Sequence, residues 1–524
     1  PVFIGEKILG AIAFTYPFAK EAICGITPIT QMVEAFEEVS IPKIEFHIDF
    51  DNSGVSEFRT GLPGKVFAGL ARVPFGSLPI GGREAGTPDG HTLIPIATPV
   101  SMGGLDAKTL ELFQPKFQEM GLSVLRGGGG TQSGKTSEID PELTPPPIQP
   151  GSNIVIPLIR GDVDVSAGGT VTYVDGDKIY AFGHSLLELG FTDLPVHTAR
   201  TVVIFPSLQS SFKILEMGEP VGSIRQDRGS GVYGVLGEVP DMLPLKVTLQ
   251  NSRGVQTQFE YELVRDRLLT PVLVNLAVYN TIVSSERAQG VVTIDVQGEI
   301  SIENHEPVEV YSRYSSDSGV ADAISLSAAV PVNYLMAFGY DDLNIESIAL
   351  DVTASENDRA ALLDSIRVNR MEAKAGDSLE LEISYIKADG ESFQSIYPLN
   401  IPSNVPPGPL NILVADGTTI MSMDDGLTED EVLIPRDLSH LIQLINNIRK
   451  NDRLYVRLYR DKPGAVVRGE GLPGLPPSIL SILGAERRSG AVSPMDVTSL
   501  LEYELPPADY MPQGSKSLTI QIKP

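Results

Sequence analysis

Apolar and polar residues alternate along much of the chain in short runs, separated by clusters of glycine, proline, asparagine and aspartate. A period of two predicts half-buried strands joined by turns. Val2 to Ile4 and Ile8 to Phe14 flank a turn at Gly5-Glu6-Lys7 and predict an opening hairpin. The same pattern predicts strands at Phe67 to Val73, Thr92 to Ile96, Ser152 to Leu158, Val163 to Ser166, Thr201 to Phe205, Leu245 to Leu249 and Gln256 to Leu263. Further on, Val292, Ile294 and Val296 share one face of a strand, and a tail strand runs from Ser517 to Ile522. Between Asn344 and Ile401, alternation in Ile348-Leu350-Val352 and Leu379-Leu381-Ile383-Tyr385, followed by a proline-rich corner, predicts an immunoglobulin-like sandwich.

Helical spacing breaks in at five places. Thr27 as cap, Pro28 in the first turn and the stripe Ile29, Met32, Val33, Phe36 predict a helix ending near Ser40. Leu110, Phe113, Phe117 and Met120 predict another over Ala107 to Met120, weakened by Pro115. Leu268 to Val283 is a long apolar segment with Thr270 as the expected cap, and Ala321 to Phe338 reads as a helix covering the sheet. Leu438, Leu441, Ile442, Ile445 and Ile448, capped by Asp437, predict an amphipathic helix to Lys450, followed by a strand with Leu454, Val456 and Leu458 on one face.

Composition agrees with a mainly β protein: 50 glycines, 40 prolines, 6% aromatics and no tryptophan. With 524 residues the chain exceeds a single core, and about three or four domains are expected. A net charge of -27 excludes a backbone-neutralising nucleic-acid binder. The lone Cys24 excludes an internal disulfide framework and a cysteine-based metal cluster. No apolar run in the sequence reaches the ~20 residues of a membrane span.

Two glycine-rich stretches mimic nucleotide sites. Gly129 through Gly134-Lys135-Thr136 matches a phosphate loop, but Pro141, Pro145, Pro146 and Pro147 leave no room for the helix whose N-terminus would hold phosphate. Residues 127–150 are read as a linker. QDRGSGVYGVLG, within Arg225 to Gly237, lacks the strand and helix of a dinucleotide fingerprint and is read as turns and bulges of a β-barrel. No nucleotide or other cofactor is expected.

The candidate chemistry lies in Gly169 to Thr198, GTVTYVDGDKIYAFGHSLLELGFTDLPVHT. A strand over Val171 to Val174, a turn at Asp175-Gly176-Asp177 and a strand over Lys178 to Phe182 deliver His184 at a rigid strand end beside Gly183, a suitable station for a general base. Ser185 follows directly, but consecutive strand side chains point to opposite faces, which makes it a poor nucleophile for that base. Asp162, Asp164 and Asp193 are candidates to orient the ring by sequence proximity. A second arrangement, a metal site of His184, Asp193 and His197, has no helical spacing and Pro195 in its middle. A third has no chemistry, the fold serving as a binding platform.

PVFIGEKILGAIAF, then GITPITQMVEAF at Gly25 to Phe36, resembles the SpoIVB peptidase family, in which a Gly-Met-Ser-Gly-Ser-Pro nucleophile motif leads into a comparable hairpin. The GTVTY…FGH stretch resembles that family's histidine segment. The resemblance covers Pro1 to Val39 and Asn153 to about Gly237, with the serine side first, as in a circular permutation. It implies a trypsin-like β-barrel core, a cofactor-free bacterial serine endopeptidase outside the cytoplasm, and a protein or peptide substrate, members of the family often cutting themselves or a membrane-associated partner. His184 takes the general-base role by resemblance. The nucleophilic serine is expected just upstream of Pro1, and the acidic partner is not identified. The expected division is a serine-side hairpin and helix (1–50), an α+β insertion (51–126), the linker (127–150), a histidine-side core (151–265), a β-rich domain with helices (266–343), the sandwich (344–405) and a C-terminal α+β module (406–524). The alternative is a catalytically inactive, protease-like scaffold of the cell envelope.

Overall fold

The computed structural model describes residues 1–15, 23–37, 85–86, 92–127, 147–205, 212–286, 290–427, 435–460, 464–467, 470–472, 476, 478–479, 492–495 and 498–524. The expected strand at 67–73 and the glycine-proline stretch around 129–146 lie outside these residues. The protein is mainly β, built from large sheets and a closed barrel.

At the N-terminus, β1 (Val2–Ile4) and β2 (Lys7–Thr15) form the expected hairpin, and β2 also pairs with β3 (Cys24–Pro28). α1 (Ile29–Glu37) follows directly. β4 (Ala85–Gly86) and β5 (Thr92–Pro95) complete this small sheet through the β2–β5 pairing. β6 (Thr98–Gly103), α2 (Ala107–Glu119) and β7 (Leu122–Arg126) form a β-α-β unit whose two strands are parallel.

The histidine-side strands are β8 (Asn153–Gly161), β9 (Asp164–Asp175), β10 (Lys178–Ala181), β11 (Gly190–Phe205), β12 (Phe212–Arg228) and β13 (Gly231–Leu236). Pairing runs β8–β11–β12–β13–β10–β9 and returns to β8, every step antiparallel, so these six strands close a barrel and leave no open edge within the ring. Arg225 to Gly237 contributes the end of β12, a turn and β13, with a register break between Ile224 and Gln226, as expected of barrel turns and bulges.

One strand links the barrel to a second layer. Beyond its barrel partners, β8 pairs through Ile159–Gly161 with β15 (Gln256–Leu263), itself hairpinned to β14 (Leu243–Gln250). The sheet continues to β18 (Ile345–Ser355), β16 (Val292–Ile302) and β17 (Val308–Ser316). Alternation holds strictly in β14, where Leu243, Leu245, Val247 and Leu249 are buried and the residues between them face outward or are half-buried. Two helices, α3 (Leu269–Ser285) and α4 (Val320–Ala337), cover the buried face of this sheet. Among the described residues α4 alone is long and apolar enough to cross a bilayer, and 67% of it is buried inside the fold.

Side-chain packing does not divide at residues 126, 265 or 343. One buried cluster runs from Val100 and Phe113 through the barrel, α3 and α4 to Val352, because β6 pairs with barrel strand β9 and Asn280 of α3 accepts from the backbone of Asp106 and the hydroxyl of Thr109. β18, expected to open the sandwich, instead runs parallel to β14 inside the large sheet. Its buried residues, Ile345, Ile348, Leu350, Val352 and Ala354, belong to the same core as the two helices.

The second core is a two-sheet sandwich. One sheet holds β19 (Ala360–Val368), β21 (Ser378–Lys387), β22 (Ser392–Asn400) and β29 (Met511–Gln513). The other holds β20 (Glu372–Lys374), β23 (Gly408–Asp416), β24 (Leu454–Arg460), β28 (Thr498–Glu504) and β30 (Ser515–Lys523). Leu379, Leu381, Ile383 and Tyr385 meet Ile412, Val414, Val456 and Leu458 between them. β25 (Gly464–Val467), β26 (Glu470–Leu472) and β27 (Val492–Met495) form a separate small sheet. α5 (Gly417–Leu427) packs Ile420 on Tyr455, and α6 (Leu438–Asn446) follows.

Two expected caps differ. The Thr27 hydroxyl, expected to cap α1, instead donates to Gly183 O, 2.6 Å away. Thr270 lies inside α3, donating to Val264 O and accepting from Asp266 N, while Asp266 Oδ1 accepts the amides of Leu268 and Leu269. Asp266 therefore does the capping, because a carboxylate two residues ahead of the first turn reaches its free amides.

Candidate active site

β10 ends at Ala181, one residue earlier than the pattern suggests, because Phe182 and Gly183 both adopt left-handed backbone conformations, φ 71° and 86°. Such a conformation is costly for a bulky residue and persists only where surroundings enforce it. The Phe182 ring lies over Gly169, where a Cβ would sit 1.8 Å from a ring carbon. Gly183 packs on Ala11 of β2, and a Cβ there would lie 2.4 Å from the alanine methyl. With Thr27 bonded to Gly183 O, the turn before His184 is held from the barrel on one side and from the N-terminal hairpin on the other.

The opening hairpin and His184 thus converge at one end of the barrel although some 170 residues separate them. Further contacts secure this junction. Met32 and Phe36 of α1 pack with Tyr180, Tyr173 and Tyr233 on the barrel's outer face, Phe36 stacking on Tyr233 at 5.6 Å. The Lys213 ammonium donates to Asn153 and Thr170, and Thr170 O in turn accepts the amide of Phe182.

His184 is half-buried, and its Nδ1 lies 3.0 Å from Ser185 O and 3.4 Å from Thr98 Oγ1. A carbonyl oxygen only accepts, so Nδ1 carries the proton and Nε2 keeps its lone pair. Thr98, fully buried on β6, also donates to Ser185 O at 3.2 Å. Burial lowers the imidazole pKa from its ordinary value, partly opposed by the bond to Ser185. The ring is therefore neutral at physiological pH and able to take a proton at Nε2.

The three aspartates expected to orient the ring are engaged elsewhere. Asp162 accepts the amide of Glu260, Asp164 accepts the hydroxyl of Ser166, and Asp193 pairs with Arg225 at 3.0 Å. Nor do His184, Asp193 and His197 assemble: His197 is buried with Nδ1 against Gly218 O, and among the described residues no three His, Cys, Asp or Glu side chains cluster as metal ligands.

Sequence reasoning missed the carboxylate that matters most to this loop. Asp227, at the end of β12, is 1% exposed, and its Oδ1 accepts the amide of Leu186 at 2.7 Å while Oδ2 accepts those of Leu187 and Leu189 at 2.6 and 3.1 Å. The loop after His184 is wrapped around this carboxylate, with Glu188 and Gly190 in left-handed conformations that turn successive amides inward. Burial pushes the Asp227 carboxyl up to about 6 against the pull of those three donors. Within QDRGSG it looked like a turn residue; its one sequence signal is that it falls at a strand end predicted to line a barrel.

No protein-family model, no curated protein and no solved structure matches the chain.

Proposed function

We propose that this chain is the histidine-bearing body of a serine endopeptidase of the SpoIVB type, with His184 as general base and a protein or peptide as substrate. The observation that carries the reading is the junction of the first hairpin with the His184 turn, through Thr27 on Gly183 and Ala11 beneath it. A serine just upstream of Pro1 would enter the molecule on β1, whose Val2 pairs with Gly10, next to the Ala11 that packs on Gly183 ahead of the neutral His184 imidazole. That is the pairing a hydroxyl nucleophile requires. The six-strand barrel supports the finer reading of a trypsin-like core, and the two-sheet second core that of an immunoglobulin-like module; an extracytoplasmic setting belongs to the same proposal.

The test is labelling by a fluorophosphonate probe of protein carrying a Gly-x-Ser-Gly-Ser run ahead of Pro1. Labelling that falls at least about 100-fold in His184→Ala is expected, in line with the usual contribution of a general base. Equal labelling of the two proteins would sink the assignment. A specific observation favours the second reading, a catalytically inactive scaffold: among the described residues no side-chain carboxylate bonds His184 directly.

A further inference from the structure

The Ser185–Leu186 peptide group has its two ends bonded to two different ionisable side chains. Its N–H donates to Asp227 Oδ1 at 2.7 Å, and its C=O accepts Nδ1–H of His184 at 3.0 Å. The Thr98 hydroxyl, donating to the same oxygen, helps hold the peptide plane in place. We propose that Asp227 is the positioning carboxylate of His184, acting through this interposed peptide group rather than by direct contact.

The physical case rests on the polarity of the amide. An anion at the N–H end withdraws the proton and shifts electron density toward the carbonyl oxygen, which becomes a better acceptor for Nδ1–H. That favours the tautomer with Nε2 free, and it favours the imidazolium formed once Nε2 has taken a proton. These are the two services that a directly bonded aspartate gives a catalytic histidine. The arrangement is also rigid. Two further amides, of Leu187 and Leu189, fill the other carboxylate oxygen, and Leu186 and Leu187 are anchored in the main core. The anion thus has a fixed address, and the peptide cannot turn over without breaking all three bonds. Glu188 on the same loop is the charged group acting on Asp227, whereas Arg228 next to it is turned to Gln226 and the Phe191 ring.

The role rests on the general-base reading for its catalytic meaning, but its test does not require turnover. The whole chain, enriched with 15N in its 6 histidines, would be titrated by NMR as wild type, Asp227→Asn and Glu188→Gln. In wild type His184 is expected as the Nδ1–H tautomer, with an inflection in its ring shifts at the ionisation of Asp227, and Glu188→Gln should keep that inflection. In Asp227→Asn the inflection should vanish, the ratio of Nδ1–H to Nε2–H tautomer should drop at least about threefold, and the imidazole midpoint should move down. If the ratio and midpoint are unchanged in Asp227→Asn, the carboxylate is only a tie for the loop and the proposal fails. Should that variant not fold, a wild-type titration without the inflection overturns it equally. Coupling seen by NMR in a protein that the fluorophosphonate never labels would leave Asp227 in this role while removing the peptidase reading.

Discussion

At the scale of single residues, the candidate site depends on places where a side chain is missing. Gly169 leaves room for the Phe182 ring, and Gly183 combines a left-handed backbone with contact against Ala11. Gly183→Ala should cost about 1–3 kcal/mol, from backbone strain and from overpacking at the hairpin. Chemical denaturation measures this, and a change below about 0.5 kcal/mol would mean that the junction is looser than described. Asp227 makes a prediction of opposite character. Its carboxyl titrates near 6 when folded against an ordinary 3.8, so the stability it lends is complete below the lower value and is lost as pH rises through the upper one. Unfolding free energy should therefore fall between about pH 4 and 6, and the slope over that window should flatten in Asp227→Asn. An identical slope in the two proteins would contradict the burial-driven shift. His184 was readable in the sequence because a glycine-histidine step ends a clear hairpin. Thr98 and Asp227 were not, because each meets the His184 loop from about 40 to 90 residues away and no local period encodes such a meeting.

At the scale of elements, legibility followed how much of the information is local. Helix α6 was plain from its stripe, since Leu438, Leu441, Ile442 and Ile445 are all buried and Asp437 accepts the amide of His440 as a cap should. Its end fell short of Lys450, at Asn446, with Ile448 only partly buried. The apolar segment at 268–283 was equally clear as a helix, and it is buried almost all round rather than on one apolar face. Its cap was misassigned, since Thr270 spends its hydroxyl on Val264 O. Asp266→Ala should destabilise by about 0.5–2 kcal/mol through loss of the amides of Leu268 and Leu269, and a neutral result in thermal or denaturant unfolding would return the capping role to Thr270. β18 shows the other limit. Alternation fixes which of its side chains are inside but is silent on which sheet receives them.

The whole molecule joins its two cores by more than a linker. Arg313 on β17 pairs with Asp295 and donates to Ala508 O, and Asn451 accepts the amide of Arg313, so strands of the large sheet are tied to the chain that frames the sandwich. More consequentially, α6 lies in sequence between sandwich strands β23 and β24 yet buries Leu438, Leu441, Ile442 and Ile445 in the core shared by the barrel and α4. Removing residues 360–524 should therefore destabilise the part that remains, seen as a lower melting temperature and binding of a hydrophobic dye. Leu441→Ala alone should cost about 2–5 kcal/mol. A truncated body as stable as the intact protein would show that α6 is dispensable.

That crossing has a consequence for how the polypeptide is made. A nascent chain leaves the ribosome from its N-terminus, and domains ordinarily fold one after another as they emerge. Here the earlier core stays uncapped until the segment up to Asn446 is out, by which time β23 has also appeared and still waits for β24 and β30. Neither half can mature alone during synthesis: translation must pass Asn446 before the first apolar interior is sealed and reach Lys523 before the second is.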